Sequence, residues 1–216
     1  MNCKHLSIKS FNFESAGRAF GGLEPGAPAR EVDQGLFEII ALHAPGDSLQ
    51  AVAQGTRRQT RQDGLGAIER GAVILAERVV RDGHKLRDRA LVRDEVDAIQ
   101  ARVRAWINDA GIDVVILTGG TGLTGRDVTP EAIRPLFEKT IEGFETVWHM
   151  TSFQSVGLST MQSRACAGLA NGTLIFALPG SNGACKDGWD KLIRWQLDAR
   201  HGPCNLAELL PRLVER

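Results

Sequence analysis

What the chain lacks narrows it first. None of its 216 residues belongs to an apolar run long enough to cross a bilayer. The opening stretch, Met1 to Phe20, carries Lys4 and Lys9 with no continuous apolar region behind them, so it does not read as a secretory signal. A cytoplasmic protein without a membrane partner is expected. Charge of one sign is missing as well: 26 basic residues balance 26 acidic ones. Nothing draws the chain as a whole to nucleic acid, and any anion site must be local. The four cysteines, Cys3, Cys166, Cys185 and Cys204, include no Cys-x-x-Cys pair, which removes the usual zinc and redox motifs and leaves buried or idle thiols. The five histidines share no helical spacing, which argues against a histidine metal site. Gly-Lys-Ser/Thr does not occur, so a P-loop is excluded.

What is present divides near residue 68. Hydrophobic residues make up 43% of the chain, enough for a packed core. Residues 1–67 read as a divergent, loop-rich N-terminal region. Gly21, Gly22, Pro25, Gly26 and Pro28 mark a loop, Leu36 to Leu42 is the one good strand, and Gln54 to Gly66 reads as an exposed polar loop. Residues 68–216 form the second region, where the signals alternate. Ala72, Leu75, Ala76, Val79 and Val80 predict a helix stopped at Asp82-Gly83, and Arg87 to Val92 a short strand. Asp94 opens a helix with Val96, Ile99, Val103, Trp106 and Ile107 on one face, ended by Gly111. Val114 to Leu117 and Thr173 to Leu178 predict strands buried on both faces. Further helices are expected from Pro130, over Leu158 to Leu169, after Ser181, and over Leu206 to Leu213. The alternation implies a layered α/β fold with a mainly parallel sheet.

The loop after the first buried strand is the main candidate site. Thr118-Gly119-Gly120-Thr121-Gly122-Leu123-Thr124-Gly125-Arg126-Asp127 stands where open α/β sheets bind ligands. Glycines let the backbone approach an anion, three threonines add hydroxyls, and Arg126 adds positive charge. The bland alternative is a tight strand-to-helix turn. Gly120-x-Gly122-x-x-Gly125 formally matches the dinucleotide fingerprint, but the helix should start only at Thr129, as N-cap, and Pro130. No ribose-binding acid ends a second strand, which argues against a nicotinamide oxidoreductase.

Asp127 lies between this loop and a helix start. A carboxylate beside phosphates requires a bridging cation, so Mg²⁺ is implied, with Asp127 its ligand. Helix capping is the competing reading, and Asp94, followed by Asp97 at capping-box spacing, shares that ambiguity. Ser163-Arg164 pairs a hydroxyl with a guanidinium and suits a phosphate, although both are also compatible with a helix surface. No Gly-x-Ser-x-Gly surrounds Ser163, so a hydrolase nucleophile is not indicated. Pro179-Gly180-Ser181 repeats the strand-turn-helix arrangement, with Ser181 as N-cap and the helix N-terminus as a second anion site.

Together these pieces resemble one family. Thr118 to Gly122, Arg126-Asp-Val-Thr-Pro-Glu131, Met161-Gln-Ser-Arg164 and Leu178-Pro-Gly-Ser181 follow the order and spacing of the molybdopterin-binding domain family. Gln196 to Arg200 and Pro203-Cys-Asn205 look like its bacterial molybdenum cofactor biosynthesis protein B branch. The resemblance covers about residues 69–213. It implies a three-layer α/β/α domain, a homotrimer, and adenylylation of molybdopterin by ATP with Mg²⁺. It assigns catalytic roles to Asp94, Asp127 and Ser163. Phosphate or pterin contacts fall to Thr118, Gly119, Gly120, Thr121, Gly122, Arg126, Arg164, Pro179, Gly180 and Ser181. Molybdopterin, a nucleotide and other molybdenum cofactor enzymes are the implied partners. The alternative of another class is a catalytically silent protein that holds molybdopterin or a nucleotide. The N-terminal part departs from the pattern: His43-Ala-Pro-Gly-Asp47 stands where a Ser-Asp turn belongs. Residues 43–68 read as partly the product of a shifted frame, which would leave the sheet without a central strand.

Overall fold

Two runs dictate the centre of the sheet. Val114–Thr118 (β3) and Thr173–Leu178 (β6) are apolar, rich in β-branched residues and buried along their whole length, as strands covered on both faces must be. The computed structural model, which describes residues 36–43 and 68–213, places them side by side and parallel, with Thr118 opposite Leu178. Leu36–His43 (β1), Lys85–Arg93 (β2), Lys139–Thr140 (β4) and Cys166–Ala170 (β5) complete a sheet of order β2-β1-β3-β6-β5-β4.

Side chains alternate between two cores, as the strand period of two demands. Ile40, Val114, Ile116, Leu174, Phe176 and Leu178 face one side. There they meet helices α1 (Ile68–Arg81), α4 (Glu142–Val156) and α5 (Asn182–Asp187), and a continuation of α5 through the π-helical turn Gly188–Ile193 into α6 (Arg194–Gln196). Ala41, Val115, Leu117, Ile175 and Ala177 face α2 (Val96–Ile107) and α3 (Thr129–Ile133). This is the expected three-layer α/β/α arrangement.

In its pairings the sheet is mixed, where alternating elements suggested a mainly parallel one. Among the described residues only β3–β6 is parallel; β1 runs antiparallel to β2 and β3, and β5 antiparallel to β4 and β6. The β5–β6 pairing has a local cause. Asn171 (φ 47°) and Gly172 (φ 76°) form a two-residue turn, and so short a connection joins only antiparallel strands. The expectation of a sheet without a central strand is overturned too, because β1 is interior, with Ile40 opposite both Arg89 and Ile116. Residues 43–68, read as partly frame-shifted, lie mostly outside the described residues, as do the loops expected at 21–28 and 54–66.

Helix boundaries also differ from expectation. Leu158 to Leu169 is not a helix: α4 ends at Val156, Gly157 (φ 60°) starts a 3-10 segment over Gly157–Gln162, and β5 follows. The small residues of β5 serve close packing, since a Cβ on Gly168 would lie 2.3 Å from the Phe137 ring. The N-cap of α3 is Val128, and Thr129 is its first residue. The C-terminal helix is a 3-10 segment, Ala207–Arg212, interrupted by Pro211.

Candidate functional site

Because β3 and β6 are parallel neighbours, the glycine loop and the Pro179–Ser181 turn leave the same sheet edge. Gly119 N–H donates to Leu178 O at 2.9 Å. Thr118, fully buried, places its hydroxyl 3.4 Å from Pro179 O and 3.1 Å from Cys185 Sγ. It therefore ties loop to turn from beneath. Burial raises the Cys185 thiol to about 11, against a smaller lowering effect of the Thr118 hydrogen bond, so the thiol is a neutral packing group. Gly71 in α1 must be glycine for the same reason: a Cβ there would lie 2.8 Å from Cys185 Sγ and 3.0 Å from Gly180 O. The Ser181 hydroxyl accepts from Ala184 N–H at 3.2 Å and caps α5, as its sequence position predicts.

The loop itself turns sharply at Gly119 (φ 109°) and Gly120 (φ 62°), conformations open chiefly to glycine. Thr129 fastens it from α3, with N–H to Gly120 O at 3.0 Å and hydroxyl to Gly119 O at 2.9 Å. Its side chain serves the loop, which is why Val128 takes the cap position. Asp127 closes the tip: one carboxylate oxygen accepts Thr124 N–H at 2.9 Å and the Thr124 hydroxyl at 2.6 Å. Burial pushes the Asp127 carboxyl up, but hydrogen bonds from Thr124 and Gly122 and the Arg164 charge outweigh it and hold the group below its ordinary value.

Arg164, read from the sequence as a phosphate contact, reaches this loop and bonds its backbone. Its backbone N–H donates to Thr121 O at 2.9 Å. Its guanidinium donates to Gly122 O at 2.7 Å, to Asp127 O at 2.5 Å and to the Glu131 carboxylate. These bonds staple both flanks of the loop. Ser163 precedes it, half-buried, and its Oγ accepts from Trp148 Nε1 at 3.1 Å and from Ala165 N–H at 3.3 Å.

Asp94 enters from the far side of β1, at the end of β2. It caps no helix, since Glu95 is the N-cap residue of α2. Burial raises its carboxyl above the ordinary value; Arg126 opposes this and Asp127 adds to it. The fold thus brings two carboxylates and one arginine, 32 and 33 residues apart in sequence, within electrostatic reach of one another beside the glycine loop. Among the described residues no cluster of three or more His, Cys, Asp or Glu side chains could cage a metal. Mg²⁺ needs no such cage, since it is held by one or two carboxylates, water and the phosphates of a substrate.

Two residues of this site escape a reading by motif. Trp148, which orients Ser163, sits 15 positions before it on α4. Glu131, the acidic partner of the Arg164 guanidinium, lies 33 positions before that arginine, inside a segment whose resemblance was visible but whose pairing was not.

Residues 66–199 match the model of a family described as a probable molybdopterin binding domain. Over 123 residues the chain is 54% identical to molybdenum cofactor biosynthesis protein B of Escherichia coli K12, covering 57% of this chain and 72% of that protein. Over 109 residues it is 47% identical to the protein of that name from Staphylococcus aureus Mu50, covering 50% and 64%. A crystal structure of a molybdenum cofactor biosynthesis protein B superposes with a TM-score of 0.62 at 33% identity, covering 73% of this chain and 91% of that one.

Proposed function

The chain belongs to the molybdopterin-binding domain family and to molybdenum cofactor biosynthesis, and from that premise we propose that it adenylylates molybdopterin with ATP. The observation that carries this reading is the Asp94–Arg126–Asp127 grouping at the edge where β3 and β6 end. In the proposed reaction a terminal phosphate oxygen of molybdopterin attacks the α-phosphorus of ATP. The bond to the β-phosphate oxygen breaks, and pyrophosphate leaves. Phosphoryl transfer of this kind needs positioning and charge neutralisation rather than a covalent enzyme intermediate.

Each residue has a part in that reading. Asp127, held ionised by Thr124 and Gly122, and Asp94 beside it would hold Mg²⁺, which supplies charge neutralisation on the triphosphate. Arg126 faces the same charges. The Gly120–Gly122 backbone and the capped start of α5 offer N–H groups to phosphate. Ser163 offers its hydroxyl to the molybdopterin phosphate. The reading also makes the protein cytoplasmic and homotrimeric; exposed Met150, Phe153, Leu158 and Met161, on α4 and the segment after it, give an assembly its apolar surface.

One observation favours a second reading, a silent binding protein: Asp127 and Arg164 already spend hydrogen bonds on holding the loop. Incubation with ATP, Mg²⁺ and molybdopterin separates the two. Molybdopterin-dependent release of pyrophosphate is the expected result. Tight molybdopterin binding without pyrophosphate leaves the silent reading in its place.

A further inference from the structure

Ser163 carries an unusual constraint. A serine hydroxyl has one proton to donate and two lone pairs to accept with. Both lone pairs of Ser163 Oγ are engaged, by Trp148 Nε1–H at 3.1 Å and Ala165 N–H at 3.3 Å. An indole N–H and a backbone N–H can only donate, so the direction of both bonds is fixed. The remaining capacity of Ser163 is its own proton, and among the described residues no acceptor takes it. Trp148 is 1% exposed and packed in the core between α4 and the sheet, so the indole cannot swing away. The 3-10 segment leading to Ser163 is tied to α4 a second time, His149 Nδ1 lying 3.2 Å from Thr160 Oγ1. Ser163 N–H in turn donates to Thr160 O at 3.0 Å.

We propose that Trp148 is a positioning residue that fixes Ser163 as an obligate hydrogen-bond donor, so that this corner of the site takes the acceptor-only oxygens of a phosphate group. A hydroxyl that accepts two bonds donates a stronger third, because aligned bonds polarise one another. The inference rests on the proposed function only in taking this edge as the phosphate site.

The test uses the full chain and inorganic phosphate as probe, followed by ¹⁵N-edited NMR of the indole N–H signals. Loss of one signal in Trp148→Phe identifies Trp148 among the four tryptophans. Phosphate should move that signal in the wild type, and Ser163→Ala should shift it upfield without ligand and abolish its response to phosphate. Phosphate affinity should fall about 3- to 10-fold in Trp148→Phe and in Ser163→Ala, the worth of one hydrogen bond, and no further in the double variant. Wild-type affinity in Trp148→Phe overturns the proposal, as do losses that multiply in the double variant. Should Trp148→Phe fail to fold, indole signals that are all indifferent to Ser163→Ala overturn it as well. A coupled phosphate response in a protein that releases no pyrophosphate keeps this inference and removes adenylylation. An active enzyme with an indifferent indole removes this inference alone.

Discussion

The glycine loop after β3 and the turn after β6 leave one sheet edge side by side, yet they are built in opposite ways. The turn is local. Pro179, Gly180 and Ser181 pass directly into α5, and the Ser181 cap is closed three residues on by Ala184 N–H. The loop is held from a distance. Arg164 bonds Gly122 O from 42 positions away and Asp127 O from 37, and Thr129 bonds Gly119 O from 10. A helix N-terminus arrives with its N–H groups already aligned. A loop that must keep its backbone turned toward a ligand has no ladder to shape it, so remote side chains do that work.

The sharpest way to break the comparison is at Asp127, where holding the loop and the proposed service to the ligand meet. Asp127→Ala should lower molybdopterin-dependent pyrophosphate release by at least about 100-fold, the scale of losing a charge-stabilising group. Stability should fall by only about 1 kcal/mol for the lost Thr124 bonds. A pyrophosphate assay beside a thermal melt checks both. Activity near wild type would make Asp127 a scaffold residue only.

Gly120→Ala tests the loop's backbone. Gly120 has φ of 62°, and a Cβ there would stand 2.4 Å from Thr129 Oγ1, which is itself buried and bonded to Gly119 O. Left-handed strain and the forced displacement of Thr129 together should cost about 2–4 kcal/mol. Urea denaturation measures it, and a loss below about 1 kcal/mol would show that the loop shape is not held by Thr129.

The same division explains what the sequence made legible. β3, β6, the end of α1 at Gly83 and the Ser181 cap are written in neighbouring residues, and each is found where its local pattern puts it. The bringing together of Asp94 and Asp127 came with the family resemblance, because no local pattern links the end of β2 to the loop after β3. Stapling by Arg164 and orientation of Ser163 by Trp148 were not legible at all, since each joins segments by tertiary contact alone. β5 was misread for a related reason. Cys166-Ala-Gly-Leu-Ala suits a helix by composition, but the Phe137 ring against Gly168 and the turn after it make it a strand. Asn171-Gly172, the strongest short hairpin signal, was the clue available for that strand.

Ser181→Ala probes the local arm. The hydroxyl is exposed and accepts one bond from Ala184 N–H, so its loss should cost about 1 kcal/mol and Ser181→Gly only a few tenths. Equal losses for the two variants, read from denaturation midpoints, would mean that the cap is not what shapes this turn.

The smallest effect, and the one of opposite sign, belongs to Gly183→Ala. Gly183 is the second residue of α5, and a Cβ added there meets nothing within 4 Å. The native backbone is already helical, so alanine adopts it without strain while the unfolded chain loses freedom. Stability should therefore rise by up to about 1 kcal/mol. Measured beside Gly120→Ala in the same urea series, the two glycines should move the midpoint in opposite directions, although both lie at the same end of the sheet. The contrast follows from what surrounds each of them: Gly120 is enclosed by a side chain from α3, Gly183 by solvent. A loss at Gly183 comparable to that at Gly120 would mean that the start of α5 is also clamped by distant contacts, and the distinction between a locally built turn and a remotely held loop would fall.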